Sequence, residues 1–313
     1  MPPRPRSVRS IALTVALLAG LLTVAGVVTQ VVTTQTASAD TTLCDQFASM
    51  PIQNGRYIVQ NNRWGSSATQ CIDVTGAGFS VTQQDGTKAT NGAPNSYPSI
   101  YYGCHYGNCS SGTTLPLQAS TSAFAAITTS VTMTYPSAGT WDAAYDIWFD
   151  PTPRTNGQNT GAEIMVWLNH QGGIQPVGSQ VATVTLAGGT WAVWEGNVGW
   201  NVVSYVRTSA TSSARFPVAT FFNDAVHRGF AQTSWFLTSI QAGFEPWQGG
   251  VGLAVNAFTV TTTASASSPA APITSANSPA ANSVATPSTT VSTAPASAST
   301  QTLAHHNSPN CKK

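Results

Sequence analysis

The stretch Leu237–Gly250 reads L-T-S-I-Q-A-G-F-E-P-W-Q-G-G. In an extended strand, side chains alternate between two faces. Ile240, Ala242 and Phe244 then point one way, toward a core. Gln241, Gly243 and Glu245 point the other way, and Trp247 joins them if the strand continues past Pro246. A carboxyl group, an amide and an indole on one face suit a ring with polar edges and flat apolar faces, which describes a sugar. Pro246 removes a backbone donor, so the strand is expected to end or become an edge there. Gly249-Gly250 marks a turn.

Two further stretches repeat the pattern. In Ala162–Asn169 (A-E-I-M-V-W-L-N), Ile164, Val166 and Leu168 share one face, and Glu163, Met165, Trp167 and Asn169 the other. In Tyr145–Asp150 (Y-D-I-W-F-D), Tyr145, Ile147 and Phe149 oppose Asp146, Trp148 and Asp150. Three strands with an apolar face and a carboxylate-plus-aromatic face predict one sheet, with one side on a core and the other along a groove. Glutamate occurs only at positions 163, 195 and 245 of the 313 residues, and only 7% of the chain is charged. Carboxylates are therefore too scarce to be general surface filler.

Moving outward, Arg56–Asn62, Gly78–Gln83, Ser130–Tyr135, Ala143–Phe149, Ala162–Leu168, Gln180–Leu186, Thr190–Gly196, Trp200–Arg207, Leu237–Phe244 and Gly252–Val260 read as strands. Asn54-Gly55, Asp85-Gly86 and Asn91-Gly92 supply turns. Many short strands without alternating helices predict an all-β sandwich or barrel. Pro217–Arg228 is the exception. Its i,i+4 pairs Phe221/Ala225 and Phe222/Val226 and its His-Arg-Gly ending predict one short helix, packed on the outside of the sandwich.

The ends differ from the body. Arg4, Arg6 and Arg9 precede an uncharged apolar run, Ile11–Val28, and Ala37-Ser38-Ala39 forms an A-x-A box. This predicts a signal peptide over 1–39, in preference to a permanent membrane anchor, and a secreted, extracellular product. Without it, nine basic residues face eleven acidic ones, a net charge of −2, so neither nucleic acid nor a membrane is an expected partner. From Thr263 the chain turns to Ser, Thr, Ala and Pro, which predicts a disordered linker-like tail over 263–313. One domain then spans 40–262, and the mature protein is expected to be a monomer.

Export permits disulfides. The close pair Cys104/Cys109 reads as a loop staple, which leaves Cys44 to tie the N-terminus to Cys71, with Cys311 left over. His105, between Cys104 and Cys109, raises zinc as an alternative, but no second ligand pair accompanies it.

Two carboxyl groups are what glycoside hydrolysis requires. Glu163 and Glu245, on separate strands, form the candidate pair. Asp146 is placed to hydrogen-bond one of them, and Trp148 and Trp247 to line the groove. Glu195, in T-W-A-V-W-E-G-N, reads as a strand-end surface residue, and Asp150, before Pro151, as a turn residue.

At N-N-R-W-G (61–65), Y-D-I-W-F-D-P-T-P (145–153), E-I-M-V-W-L-N (163–169) and G-F-E-P-W-Q-G-G (243–250), the chain resembles secreted bacterial endoglucanases of glycoside hydrolase family 12. The resemblance covers about residues 40–262. It implies a jelly-roll sandwich of two curved antiparallel sheets with an open cleft, and hydrolysis of β-1,4-glucan with retention. It implies Glu163 as nucleophile, Glu245 as general acid/base and Asp146 as the aspartate supporting the nucleophile. It also implies Asn62, Trp64 and Met165 as cleft residues, a β-glucan polysaccharide as substrate, and no metal or cofactor. Both body disulfides fit the family. Relatives with such a linker often continue into a cellulose-binding module; none is expected after this tail, so soluble or amorphous glucans become the expected substrates. Xylan or xyloglucan hydrolysis, and sugar binding without catalysis, are the competing readings.

Overall fold

The computed structural model of the chain describes residues 41–262; the signal-peptide and tail expectations lie outside them. Two sheets dominate. The smaller comprises β1 (Thr41–Leu43), β4 (Gln70–Val74), β5 (Phe79–Gln84), β9 (Thr128–Thr134), β15 (Ser213–Pro217) and β17 (Ala254–Thr261), in the order β1-β4-β5-β17-β9-β15. The larger comprises β2 (Ser49–Ile52), β3 (Tyr57–Gln60), β6 (Ser99–His105), β10 (Thr140–Asp150), β11 (Ala162–Gln171), β12 (Ser179–Leu186), β13 (Gly189–Asn197), β14 (Asn201–Arg207) and β16 (Phe236–Gln248). Its order is β12-β13-β14-β11-β10-β16-β6-β3-β2, with the short β7 (Asn108–Cys109) and β8 (Leu117–Gln118) attached to β6 and β16. This is the all-β jelly-roll sandwich that the sequence predicts. Every pair in it is antiparallel except β11 with β14. Parallel neighbours need a crossover, which the β12–β13 hairpin provides.

One face of the large sheet and the small sheet enclose the main core. Ile240, Ala242 and Phe244 of β16, Tyr145, Ile147 and Phe149 of β10, and Ile164, Val166 and Leu168 of β11 all lie in it, as alternation requires. The opposite face carries a second apolar cluster that includes Ala144, Trp148, Met165, Trp167, Trp200 and Trp247. A period of two thus yields one strand set with two differently furnished faces.

Helix α2 (Val218–His227) forms where expected but not on the outside. Phe221 packs edge-on to Trp191 and Phe216, and Phe222 stacks on Phe149 with ring centroids 4.4 Å apart. Both phenylalanines belong to the main core, so the helix is part of the layer that closes it. A second, single-turn helix, α1 (Ser122–Ala125), was not legible in the sequence. Thr121 caps it, its hydroxyl accepting from the Phe124 N–H at 3.2 Å, and Phe124 packs on Phe222.

At Pro246 the second form of the expectation holds: strand β16 runs on to Gln248, but its β6 side is an edge past Gly243. The Phe244 N–H points toward the β6 side, donating to the Pro98 carbonyl. Pro246 has the same parity, so its missing N–H faces a side that β6 has already left. There Asn95 takes over, its backbone N–H and side-chain amide both donating to the Pro246 carbonyl at 2.9 and 3.1 Å. On the other edge Pro246 stays opposite Trp141.

Disulfides join Cys44 to Cys71 and Cys104 to Cys109. Among the described residues, no helix is long and apolar enough to cross a membrane.

Candidate active site

The site is built on β11, β10 and β16, three adjacent strands. On the central β10, the residues facing away from the main core are Asp142, Ala144, Asp146 and Trp148. Trp148 is opposite Glu163 of β11, and Asp146 lies between Met165 of β11 and Gln241 of β16. Asp142 is opposite Glu245 of β16. The two candidate glutamates therefore flank one strand, and both project from the same face. All four carboxyl residues are buried: Asp142 and Glu163 at 0% exposure, Asp146 at 2% and Glu245 at 4%.

Glu163 is held by Trp200, whose indole Nε1–H donates to Glu163 Oε2 at 2.9 Å. Trp200 stands immediately before β14, and its ring packs at a tilt on Trp148, centroids 5.6 Å apart. The Tyr97 phenol donates to the Ala144 carbonyl at 3.1 Å. Burial first, then the charges of Asp146, Glu245, Asp142 and Glu163, raise its pKa well above the usual phenol value. One buried phenol thus stands in the field of all four carboxylates.

A cavity of about 620 Å³ opens on this face. Glu245, Trp64, Met165, Trp167, Trp200 and Trp247 line it, together with the segments 90–94 and 175–178. Trp247 has a second role: its Nε1–H donates to the Gly92 carbonyl at 2.7 Å and pins the rim segment. Trp148 lies beneath the lining rather than in it. Asn62 is separate from this cavity and lines a smaller one of about 250 Å³ with Phe47, Gln60, Tyr101, His105 and Tyr106. Its left-handed backbone, φ 36°, is a conformation asparagine tolerates better than most residues.

His105 is not a metal ligand set in waiting. Cys104 and Cys109 are bonded to each other, and the imidazole Nδ1 meets Gln241 Nε2 at 3.2 Å. Burial pushes its pKa down to about 4, so the ring is neutral above that and Nδ1 accepts from the amide. Glu195 points away from the cleft and pairs with Arg228, at the end of α2, at 3.3 Å. Asp150 is more than a turn residue. It is buried and accepts from the Thr152 and Thr160 backbone N–H groups, both at 2.9 Å, and from Arg154 Nε at 2.7 Å. Burial pushes its pKa up, but these hydrogen bonds and those from the threonine hydroxyls outweigh it and hold the carboxyl below its ordinary value.

Sequence reasoning missed Trp200, Tyr97 and Asp142. Asp142 carried a signal, since it continues the Asp146/Ala144 alternation one step upstream. Trp200 and Tyr97 carried none, because their partners are set by distant strand pairing.

Chemically, the face offers two glutamates on separate strands, two buried aspartates on the strand between them and a wall of indoles. The sequence profile of Glycosyl hydrolase family 12 matches residues 55–263. The chain is 47% identical over 131 residues to a protein named probable cellulase Cel12b of Mycobacterium tuberculosis, covering 42% of this chain and 86% of that one. It is 32% identical over 215 residues to the xyloglucan-specific endo-beta-1,4-glucanase A of Emericella nidulans, covering 66% and 85%. A solved structure of the native endo-1,4-beta-glucanase CelB2, a cellulase, superposes with a TM-score of 0.68 at 52% identity, covering 71% of this chain and 99% of that one.

Proposed function

The chain belongs to glycosyl hydrolase family 12 and is an endo-acting hydrolase of β-1,4-glucan, and from that premise we propose a residue-by-residue mechanism. Glu163, ionised, attacks the anomeric carbon while Glu245, protonated, donates to the leaving oxygen. A glycosyl ester forms on Glu163. Glu245 then takes a proton from the water that hydrolyses the ester, and the product keeps its configuration. Asp146, beside Met165 and one alternation step from the level of Glu163, supports the nucleophile. Trp64, Met165 and Trp247 line the sugar-binding cavity and Trp148 backs it, while Asn62, in the smaller cavity, is assigned a further contact with the glucan chain.

The observation that carries this reading is the placement of Glu163 and Glu245 on the two strands flanking β10, on the aromatic face. Their levels are offset along β10, so the retaining separation of about 5–5.5 Å between carboxyl groups requires the sheet to curve.

The substrate is a polysaccharide. An unbranched or mixed-linkage β-glucan is the preferred reading; the similarity to a xyloglucan-specific enzyme makes xyloglucan the second. We assign 1–39 as a removable signal, 40–262 as the catalytic domain and 263–313 as a linker-like tail of a secreted monomer. Reducing-sugar release is to be compared on carboxymethylcellulose, mixed-linkage glucan, xyloglucan and xylan, with the anomeric form of the first product read by NMR. Release from the first two with a β product is expected. An α first product, or release from xylan alone, overturns the reading.

A further inference from the structure

Glu245 does not stand alone on its strand level. Asp142 is the residue directly opposite it on β10, and side chains so opposed carry Cβ atoms about 4.5–5.5 Å apart. Asp142 has no exposed surface, and Glu245 is 4% exposed and lines the large cavity, which Asp142 does not. A carboxyl group thus sits behind the one that meets the sugar. Two carboxyl groups this close and this dry disfavour a double charge, and their protons come off as properties of the pair. Other titratable groups nearby are Tyr97, Asp146 and Glu163, with His170 opposite Asp142 on the β11 side.

Burying a carboxyl on a strand is costly unless something compensates, and the residue directly opposite Asp142 on β16 is Glu245. The neighbour that gains from a carboxyl here is a glutamate that must hold a proton, release it and regain it.

We infer that Asp142 is a positioning residue for Glu245, and that the two form one carboxyl pair which holds the catalytic proton. Glu245 delivers that proton to the leaving oxygen, and the pair is left with one proton fewer. In the second step the proton of the attacking water returns to the pair. Asp142 never touches the sugar and acts only through Glu245. The inference rests on the assignment of Glu245 as general acid/base.

Asp142→Asn keeps size and hydrogen-bonding capacity but cannot exchange a proton. The test measures kcat/KM, which reports glycosylation, on an unactivated cello-oligosaccharide and on an aryl cellobioside with an acidic phenol. Proton transfer as a whole contributes roughly 10²–10⁴, so Asp142→Asn is expected to lose about tenfold or more on the first substrate and less than about twofold on the second. In a Glu245→Gln background it should change neither. Equal losses on both substrates, or losses that multiply in the double variant, overturn the inference and mark Asp142 as structural. If Asp142→Asn does not fold, judged by its thermal midpoint, Asp142→Ser is read by the same criteria, and failure of both to fold also marks the residue as structural. Glu245→Gln is run beside them. If it shows no leaving-group dependence, the assignment of Glu245 has failed; if it does and Asp142→Asn does not, only the pair has failed.

Discussion

At the scale of single residues, the two glutamates make separable predictions. Glu163→Gln removes the nucleophile, so both chemical steps should stop on every substrate. Glu245→Gln should still form the ester with an acidic phenol leaving group, and the ester should accumulate because no base activates water. Azide needs no base, so it should rescue turnover and yield a β-glycosyl azide; mass spectrometry of the ester and NMR of the azide check both points. Glu195→Gln, outside the cleft on the Arg228 ion pair, should retain activity, and a partly exposed pair of this kind stabilises by at most about 1 kcal/mol. Trp200→Phe keeps the ring against Trp148 but deletes the donor to Glu163. A hydrogen bond to a charged group contributes about 1.5–3 kcal/mol to stability, so the thermal midpoint should fall, and kcat/KM should fall with it as Glu163 loses its support. Glu163 and Glu245 stood out by alternation and the scarcity of glutamate, and Asp146 by alternation alone. Trp200 was not, because the indole meets Glu163 only through the parallel β11–β14 pairing.

At the scale of elements, strand interiors were read well and their ends poorly. β6 (Ser99–His105) was missed, since G-C-H-Y-G-N-C reads locally as a stapled loop, yet the strand binds β16 on one side and β3 on the other. Helix α2 was found from its i,i+4 pairs, but its place in the core depends on Trp191, Phe149 and Phe216 from three strands. Phe222→Ala should therefore cost about 3–5 kcal/mol, measurable by urea denaturation. A cost below 1 kcal/mol would place the helix outside the core. The loop after β10 depends on Asp150. Its folded pKa is depressed, so its contribution is fully present above the unfolded value of about 3.9 and is lost as pH falls through the folded one. Asp150→Asn should accordingly be less stable than the parent at neutral pH, with the gap closing in strong acid.

At the scale of the whole molecule, the disulfides act on the unfolded chain. Cys44–Cys71 closes a 27-residue separation and Cys104–Cys109 one of 5. Loop entropy gives about 3.5 and about 2 kcal/mol respectively. Replacing Cys44 and Cys71 by Ala should lower the denaturation midpoint more than replacing Cys104 and Cys109, and the reverse order would show that the short staple supports the native sheet directly. A chain ending near residue 262 should keep its thermal midpoint and its activity on soluble glucan; a large drop in either would show that 263–313 pack on the body.

By itself the sequence determined which residues share a face, because a period of two is a local property of extended backbone. It limited the body to an all-β sandwich or barrel, since many apolar-faced strands need a second layer or closure to cover them, and the family resemblance chose the jelly-roll sandwich. It also singled out two glutamates among so few charges. The tertiary structure alone decided the strand order β14-β11-β10-β16-β6, and with it which side chains meet. It put Trp200 on Glu163, Tyr97 among four carboxylates, and Asp142 opposite Glu245. The physical reason is that cross-strand neighbours are chosen by pairing between segments far apart in the chain. Strand register, and not local periodicity, sets which groups share a proton or a hydrogen bond.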